Sequence, residues 1–338
     1  MDKRERFMRY LAGEPVDRVP VAFFHHFTER NEWLKGLKDP AIFEKNIAGH
    51  KAAREKFDPD VIKVMNDSLM IMPVDVSFVQ KPSDLRDIKP PLPGSPFFEK
   101  SAELTKRALA FYEGNEAPRY ITGFSPAMIL KTAMNLTFAA LPGTKTLLQQ
   151  FADEDPDSVA AALDIIADSV TALDEMLIKD CGAEAVYLSV NNQKNYFSSE
   201  FYRAYVTPSE KKVLAHANGL SDMTFLHICG YAGLSNDLSL YTDYDAAAFN
   251  WAVHAEGVSL SEGRKLFSGK PVCGGFEQAT VIYTGTREEV EAYVYGILDE
   301  AGQTGTMIGA DCTVPTDIDD TRLEWARQAC VKYAEEHR

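Results

Sequence analysis

Short apolar runs rich in β-branched and aromatic residues alternate with longer stretches of helical period from one end of the chain to the other. This alternation constrains the fold more than any other feature of the sequence. Eight runs read as strands: Val19–Phe24, Val61–Met65, Tyr120–Phe124, Ala185–Val190, Met223–Cys229, Ala246–Val253, Pro271–Phe276 and Thr306–Asp311. The clearest helices between and after them are Asp157–Lys179, Ser199–Ala217, Arg287–Ala301 and Thr321–Glu336. In the first of these, Ile165, Val170, Leu173, Met176 and Leu177 keep one face apolar. Thr286, with Glu289 three residues on, has the form of a capping box that opens the third.

Strands that alternate with helices predict a parallel sheet with helical crossovers. A chain of 338 residues is long enough for two domains or for one large barrel, and eight repeating units favour the barrel. A doubly wound open sheet would need a Gly-rich phosphate loop early in the chain, and none follows Val19–Phe24. The Lys89–Pro96 segment, with four prolines, reads as a loop between the second and third units, because the same pattern resumes beyond it.

Charge narrows the function classes. Fifty acidic against 35 basic residues leave a net charge of −15, which argues against nucleic acid and anionic membrane surfaces as partners. No apolar stretch reaches the length of a membrane span, and no apolar run follows the charged residues Asp2–Arg6 as in a signal peptide. The expected location is therefore cytoplasmic. The five cysteines are an odd number in a large chain and read as free thiols, with Cys181 and Cys330 serving packing.

The sharpest chemical feature is Phe225-Leu226-His227-Ile228-Cys229-Gly230, an apolar run that ends in His-x-Cys-Gly. Residues i and i+2 of a strand face the same way, so His227 and Cys229 can take one soft metal ion. Zinc asks for about four such ligands. Cys273 and Cys312 close the seventh and eighth strands, and in a closed barrel those ends share a rim with the fifth. A cysteine at a strand end is also an ordinary small buried hydrophobe; three of five at such ends, one beside a histidine, favour a metal.

Other groups fall at the same rim. His25 and His26 close the first strand, where at most one can point inward. Asp67, after the second strand, suits a general acid/base or a ligand anchor, and equally a loop cap. Asn191, in the run Asn191–Asn195, suits hydrogen bonding to an uncharged polar ligand or an ordinary turn, and Gly274-Gly275 allows close backbone approach. No G-x-S-x-G elbow is present, so a hydrolytic triad is not expected.

The opening Arg6-Phe7-Met8-Arg9-Tyr10-Leu11-Ala12-Gly13-Glu14-Pro15-Val16-Asp17-Arg18-Val19-Pro20 resembles that of the uroporphyrinogen decarboxylase superfamily. So do Gly123-Phe124-Ser125-Pro126, Gly274-Gly275-Phe276-Glu277, Tyr283–Val290 and Ile308-Gly309-Ala310-Asp311-Cys312. The resemblance implies an α/β fold, a single (β/α)8 TIM barrel over residues 1–338. Decarboxylases of this family carry an arginine-rich segment after the first strand to grip substrate carboxylates. This chain has Phe24-His25-His26-Phe27-Thr28 there, although Asp67 falls where those enzymes keep their pyrrole-binding aspartate.

The family's other branch comprises zinc-dependent methyltransferases that work with corrinoid proteins, marked by His-x-Cys-Gly and a distant cysteine at the last strand. His227, Cys229 and Cys312 match these positions, while Asn250-Trp251 stands near where many members place a glutamate ligand. Cys273 then becomes the fourth expected ligand, with His254 or Asp245 behind it and Asp311 in support. The resemblance thus implies zinc, and a methyl group passed between a small methyl ether or thiol and a corrinoid (cobalamin) on a separate protein docked over the barrel mouth. An O-demethylase component is one form of this activity. Asp67, His25 and His26 are the expected catalytic groups, with Phe24, Asn191, Gly274 and Glu277 about an uncharged or weakly charged substrate. A metal-free decarboxylase using Asp67 and a non-catalytic ligand-binding barrel are the alternatives.

Overall fold

Each apolar run but one becomes a strand paired to the next in the computed structural model, which describes residues 1–337. The strands are β1 (Ile62–Val64), β2 (Arg119–Phe124), β3 (Ala185–Val190), β4 (Phe225–Ile228), β5 (Ala248–Trp251), β6 (Val272–Phe276) and β7 (Thr306–Ala310). They form one parallel sheet in the order β1-β2-β3-β4-β5-β6-β7, an α/β arrangement of TIM-barrel type. Every residue of β3 to β7 is buried, as expected where helices cover one face and a packed interior the other. Helices Arg287–Ala301 and Thr321–Glu336 have the expected bounds, and Thr286 and Glu289 form the capping box. Ser199–Leu220 is not one regular helix, since Tyr202–Val206 forms a π-helical turn within it. No helix among the described residues is long and apolar enough to cross a membrane.

The expected first strand, Val19–Phe24, is the exception. It forms only isolated parallel bridges, Val21 with Ile308 and His25 with Val314, so an eighth regular strand is not formed among the described residues. The cause lies in its neighbours. Pro20 has no N–H to donate; its carbonyl accepts from Ile308 N (3.0 Å), and Ala22 N donates to Ile308 O (2.9 Å). On the other side Val21 meets the loop residue Asp60, whose carboxylate accepts the Val21 N–H at 2.8 Å while Asp60 N donates to Val21 O. Asp60 is fully buried and also held by Arg6 and Arg18. An ion cluster thus stands where a regular ladder was expected. Breaking such a buried pair from one side typically costs about 3–5 kcal/mol.

Helix Lys3–Ala12 covers the sheet's N-terminal end. Its Phe7 and Tyr10 pack on Tyr120 and Phe225, which closes the interior from below. The open space lies at the C-terminal ends of the strands, the usual place for chemistry in such folds.

Candidate metal centre and the cavity around it

Parallel register sets Ser189, His227, Asn250 and Cys273 side by side on β3, β4, β5 and β6. Cys229 follows β4 directly, its N–H bound to Val190 O at 2.9 Å, so it stays in line with His227. Cys312 arrives from the loop after β7. The donor atoms of His227, Cys229 and Cys312 all lie within 4.8 Å of one another, and all three residues are buried. Cys312 Sγ stands 3.8 Å from His227 Nε2. Nitrogen and sulfur bound to one tetrahedral zinc stand about 3.6 Å apart, so the donor set fits that ion with little movement. Cys229 donates toward Cys312, which holds the Cys312 thiol well below the usual range and pushes the Cys229 thiol well above it. This favours the thiolate form at Cys312, the form that binds metal.

Asn250 decides which nitrogen of His227 is available. Its Nδ2 donates to Cys273 O (2.8 Å) and Ala310 O (3.2 Å), which orients the amide. Its Oδ1 must then accept, from Tyr187 OH at 2.8 Å and from His227 Nδ1 at 2.5 Å. The proton of His227 is thus on Nδ1, and the Nε2 lone pair faces the thiols. Gly274, at φ +140°, makes room for this amide: a Cβ there would meet Asn250 Nδ2 at 3.2 Å. Sequence reading took Asn250 only as a missing glutamate. Its role is set by register with His227, which no local pattern encodes.

Cys273 does not join the group. It is fully buried and packs in the interior cluster with Phe7, Tyr10 and Met307. Burial raises its thiol above the ordinary value. His254 donates from Nδ1 to the Asp311 carboxylate (2.9 Å) and its Nε2 meets Tyr293 OH at 2.7 Å, while Asp245 is exposed beside Lys270. The three gathered donors all line one cavity of about 530 Å3, so a fourth coordination position opens onto it.

The other expected site residues divide. His26 and Asn191 line this cavity. His25 faces away, its Nε2 at 2.5 Å from buried Asp320 and its ring stacked on Phe27. Asp67 is fully buried behind His26: one oxygen meets His26 Nδ1 at 2.8 Å, the other accepts from Phe27 N and Thr28 N. It therefore shapes the His26 loop and does not line the cavity. Phe24 lies beneath Lys63, and neither Gly274 nor Glu277 is among the cavity's residues.

Sequence reading missed the cavity's cations. Lys63 on β1 and Lys131 on helix Pro126–Thr137 reach into it, with Arg30 and Lys35 at its rim, and no carboxylate lines it among the described residues. A signal existed: Lys63 is a lone charge inside the apolar run Val61–Met65. These cations stand among aromatic rings (Trp33, Phe124, Tyr187, Tyr231) and amides (Asn31, Asn191, Gln193) on the same wall.

Comparison with known proteins agrees with this frame. Residues 53–333 match the family described as Uroporphyrinogen decarboxylase (URO-D). A curated relative, the methylcobamide:CoM methyltransferase MtbA of Methanosarcina mazei, is 26% identical over 143 residues, 42% of this chain and 41% of that protein. The aligned part thus spans well under half of that relative's length. A solved methyltransferase from Methanosarcina mazei superposes with a TM-score of 0.71 at 14% identity, covering 98% of this chain and 99% of that one. A B12-independent methionine synthase from Shewanella sp. W3-18-1 gives 0.56 at 14% identity over 95% and 98%. At such identities the structures show a shared fold. With the family match running over most of its length, this chain belongs to the uroporphyrinogen decarboxylase (URO-D) family.

Proposed function

We propose that this chain is a zinc-dependent methyltransferase, moving a methyl group between a small methyl ether or thiol and a corrinoid carried by a separate protein. One observation carries the reading: His227, Cys229 and Cys312 converge on the cavity with a coordination position left open to it. Zinc bound there would act as a Lewis acid toward a substrate oxygen or sulfur. The chain's own residues do the rest. Asn250 holds His227 in the ligating tautomer, and the Cys312 thiol gives up its proton readily. His26 presents its ring to the same cavity, braced by Asp67 and held by its N–H to Val314 O, two residues beyond Cys312. Relatives named as methyltransferases support the reading, including one whose name pairs methylcobamide with CoM. We further read residues 1–338 as one barrel whose mouth receives the corrinoid protein. Five buried free thiols suit the reducing cytoplasm.

The decarboxylase reading lacks its central group, because Asp67 is turned into the protein and away from the cavity. Elemental analysis of the purified protein should find one zinc per chain, and demethylation of methylcobalamin by an added thiol, or methylation of reduced cobalamin by a methyl ether, should depend on it. Metal-free protein that releases carbon dioxide from uroporphyrinogen would overturn the proposal.

A further inference from the structure

Beside the metal-site cavity lies a second one of about 590 Å3, and four side chains line both: Leu34, Ile71, Thr132 and Leu136. One layer of side chains therefore stands between the two spaces. Thr132 and Leu136 share a face of helix Pro126–Thr137, four residues apart. Leu136 is 71% exposed, a large apolar side chain left uncovered where the two cavities meet. Leu34 belongs to a loop latched to the segment after β1, where Gly36 N donates to Ser68 O at 2.8 Å. Its backbone is left-handed, at φ +69°, which a branched side chain adopts only where its surroundings impose it.

The second chamber is walled by Met72, Val74, Pro91, Pro96 and Phe97, and its charged residues, Lys38, Asp75 and Lys89, are exposed. Pro91 and Pro96 come from the four-proline segment Lys89–Pro96, whose fixed φ angles stiffen that wall. One buried polar atom there is unpaired. Ser95 Oγ has no hydrogen-bond partner among the described residues, although a serine at a helix start usually accepts from the first turn. Met70, Phe124 and Met128 line the first cavity together with the metal donors, so apolar surface is present on both sides of the partition. A methyl ether or thiol of a few atoms leaves most of this space empty, since sites of about 300–1,000 Å3 enclose molecules of drug size.

We infer that the substrate carries an extended apolar tail, which passes the layer formed by Leu34, Ile71, Thr132 and Leu136 into the second chamber while its reactive end stays in the metal-site cavity. The identity of that end rests on the methyltransferase reading; the tail stands apart from it. Covering Leu136 and the chamber walls removes apolar surface from water, which favours binding by up to about fourfold per methylene.

Isothermal titration calorimetry on the full chain with 1-butanol, 1-hexanol, 1-octanol and 1-decanol reads the tail directly. Affinity should rise by at least about twofold per methylene through decanol. Ala133→Phe and Leu37→Trp fill the chamber at residues that do not line the first cavity. Either should weaken decanol by at least about tenfold and butanol by less than about twofold. A rise that stops at hexanol, decanol affinity unchanged in both variants, or equal losses for butanol and decanol would overturn the inference. So would a wild-type dimer, seen by sedimentation and abolished by Ala133→Phe, because a second copy would then occupy the chamber. Zinc content and methyl transfer measured on the same preparations separate the two readings. Protein with neither zinc nor methyl transfer that keeps the chain-length slope refutes only the methyltransferase, and a flat slope in active, zinc-loaded protein refutes only the tail.

Discussion

Replacing Asn250 tests whether the metal site is built from its surroundings as the geometry indicates. The amide is 1% exposed and makes four hydrogen bonds, accepting from His227 and Tyr187 and donating to two strand carbonyls. Asn250→Ala leaves four buried polar groups without it. At about 1–3 kcal/mol each the ceiling is roughly 4–12 kcal/mol. A water admitted to the vacated space can re-pair two or three of them, which brings the expected loss to about 2–4 kcal/mol. That is a large share of the roughly 5–15 kcal/mol that holds a domain together. Zinc affinity should fall about 10–100-fold, because His227 without its Nδ1 acceptor is free to carry its proton on Nε2. Asn250→Asp keeps the acceptor and loses both donors, so it should restore most of the zinc affinity while remaining destabilised. Urea unfolding gives the first quantity and competition with a chromophoric chelator the second. Zinc affinity within twofold of wild type in Asn250→Ala would refute the orienting role.

Cys229→Ser and Cys312→Ser should each remove stoichiometric zinc and methyl transfer, while Cys273→Ser should retain the metal, checked by elemental analysis; zinc lost from the Cys273 variant alone would reverse the ligand assignment. Burial pushes the Asp174 carboxyl up to about 8 from an ordinary 3.8, so between these values the unfolded chain ionises and the folded one does not. Stability then falls as pH rises through that window, by up to about 1.4 kcal/mol per unit. The melting-temperature gain of Asp174→Asn should therefore grow from pH 5 to pH 8, and a gain independent of pH would contradict this. Gly309→Ala would put a Cβ 2.6 Å from Ala22 O and 3.1 Å from Cys273 Sγ at the bridge between β7 and the first segment. Denaturant unfolding should show a loss of roughly 1–3 kcal/mol, and an unchanged midpoint would mean that the contact is slack.

Much of the framework is local in origin and so could be read from the sequence. The run Ala185–Val190 is a strand because its side chains suit a sheet buried on both faces, and helices Arg287–Ala301 and Thr321–Glu336 carry their periodicity and ends within themselves. The same holds for His227 and Cys229, whose common direction follows from strand geometry alone. What the sequence could not decide were relations between distant segments. Cys273 lies within an apolar run and Cys312 just after one, yet only the curl of the sheet sends Cys312 to His227, 85 residues away, and leaves Cys273 among Phe7 and Tyr10. Val19–Phe24 has a strand's composition, but Pro20 and the Asp60 carboxylate take over its hydrogen bonding. Asp67 and Lys63 exchange their expected weights for the same reason: a charge's role depends on what packs around it. Asp67 found three partners in the distant segment His26, Phe27 and Thr28, while Lys63 found only aromatic faces and an open cavity.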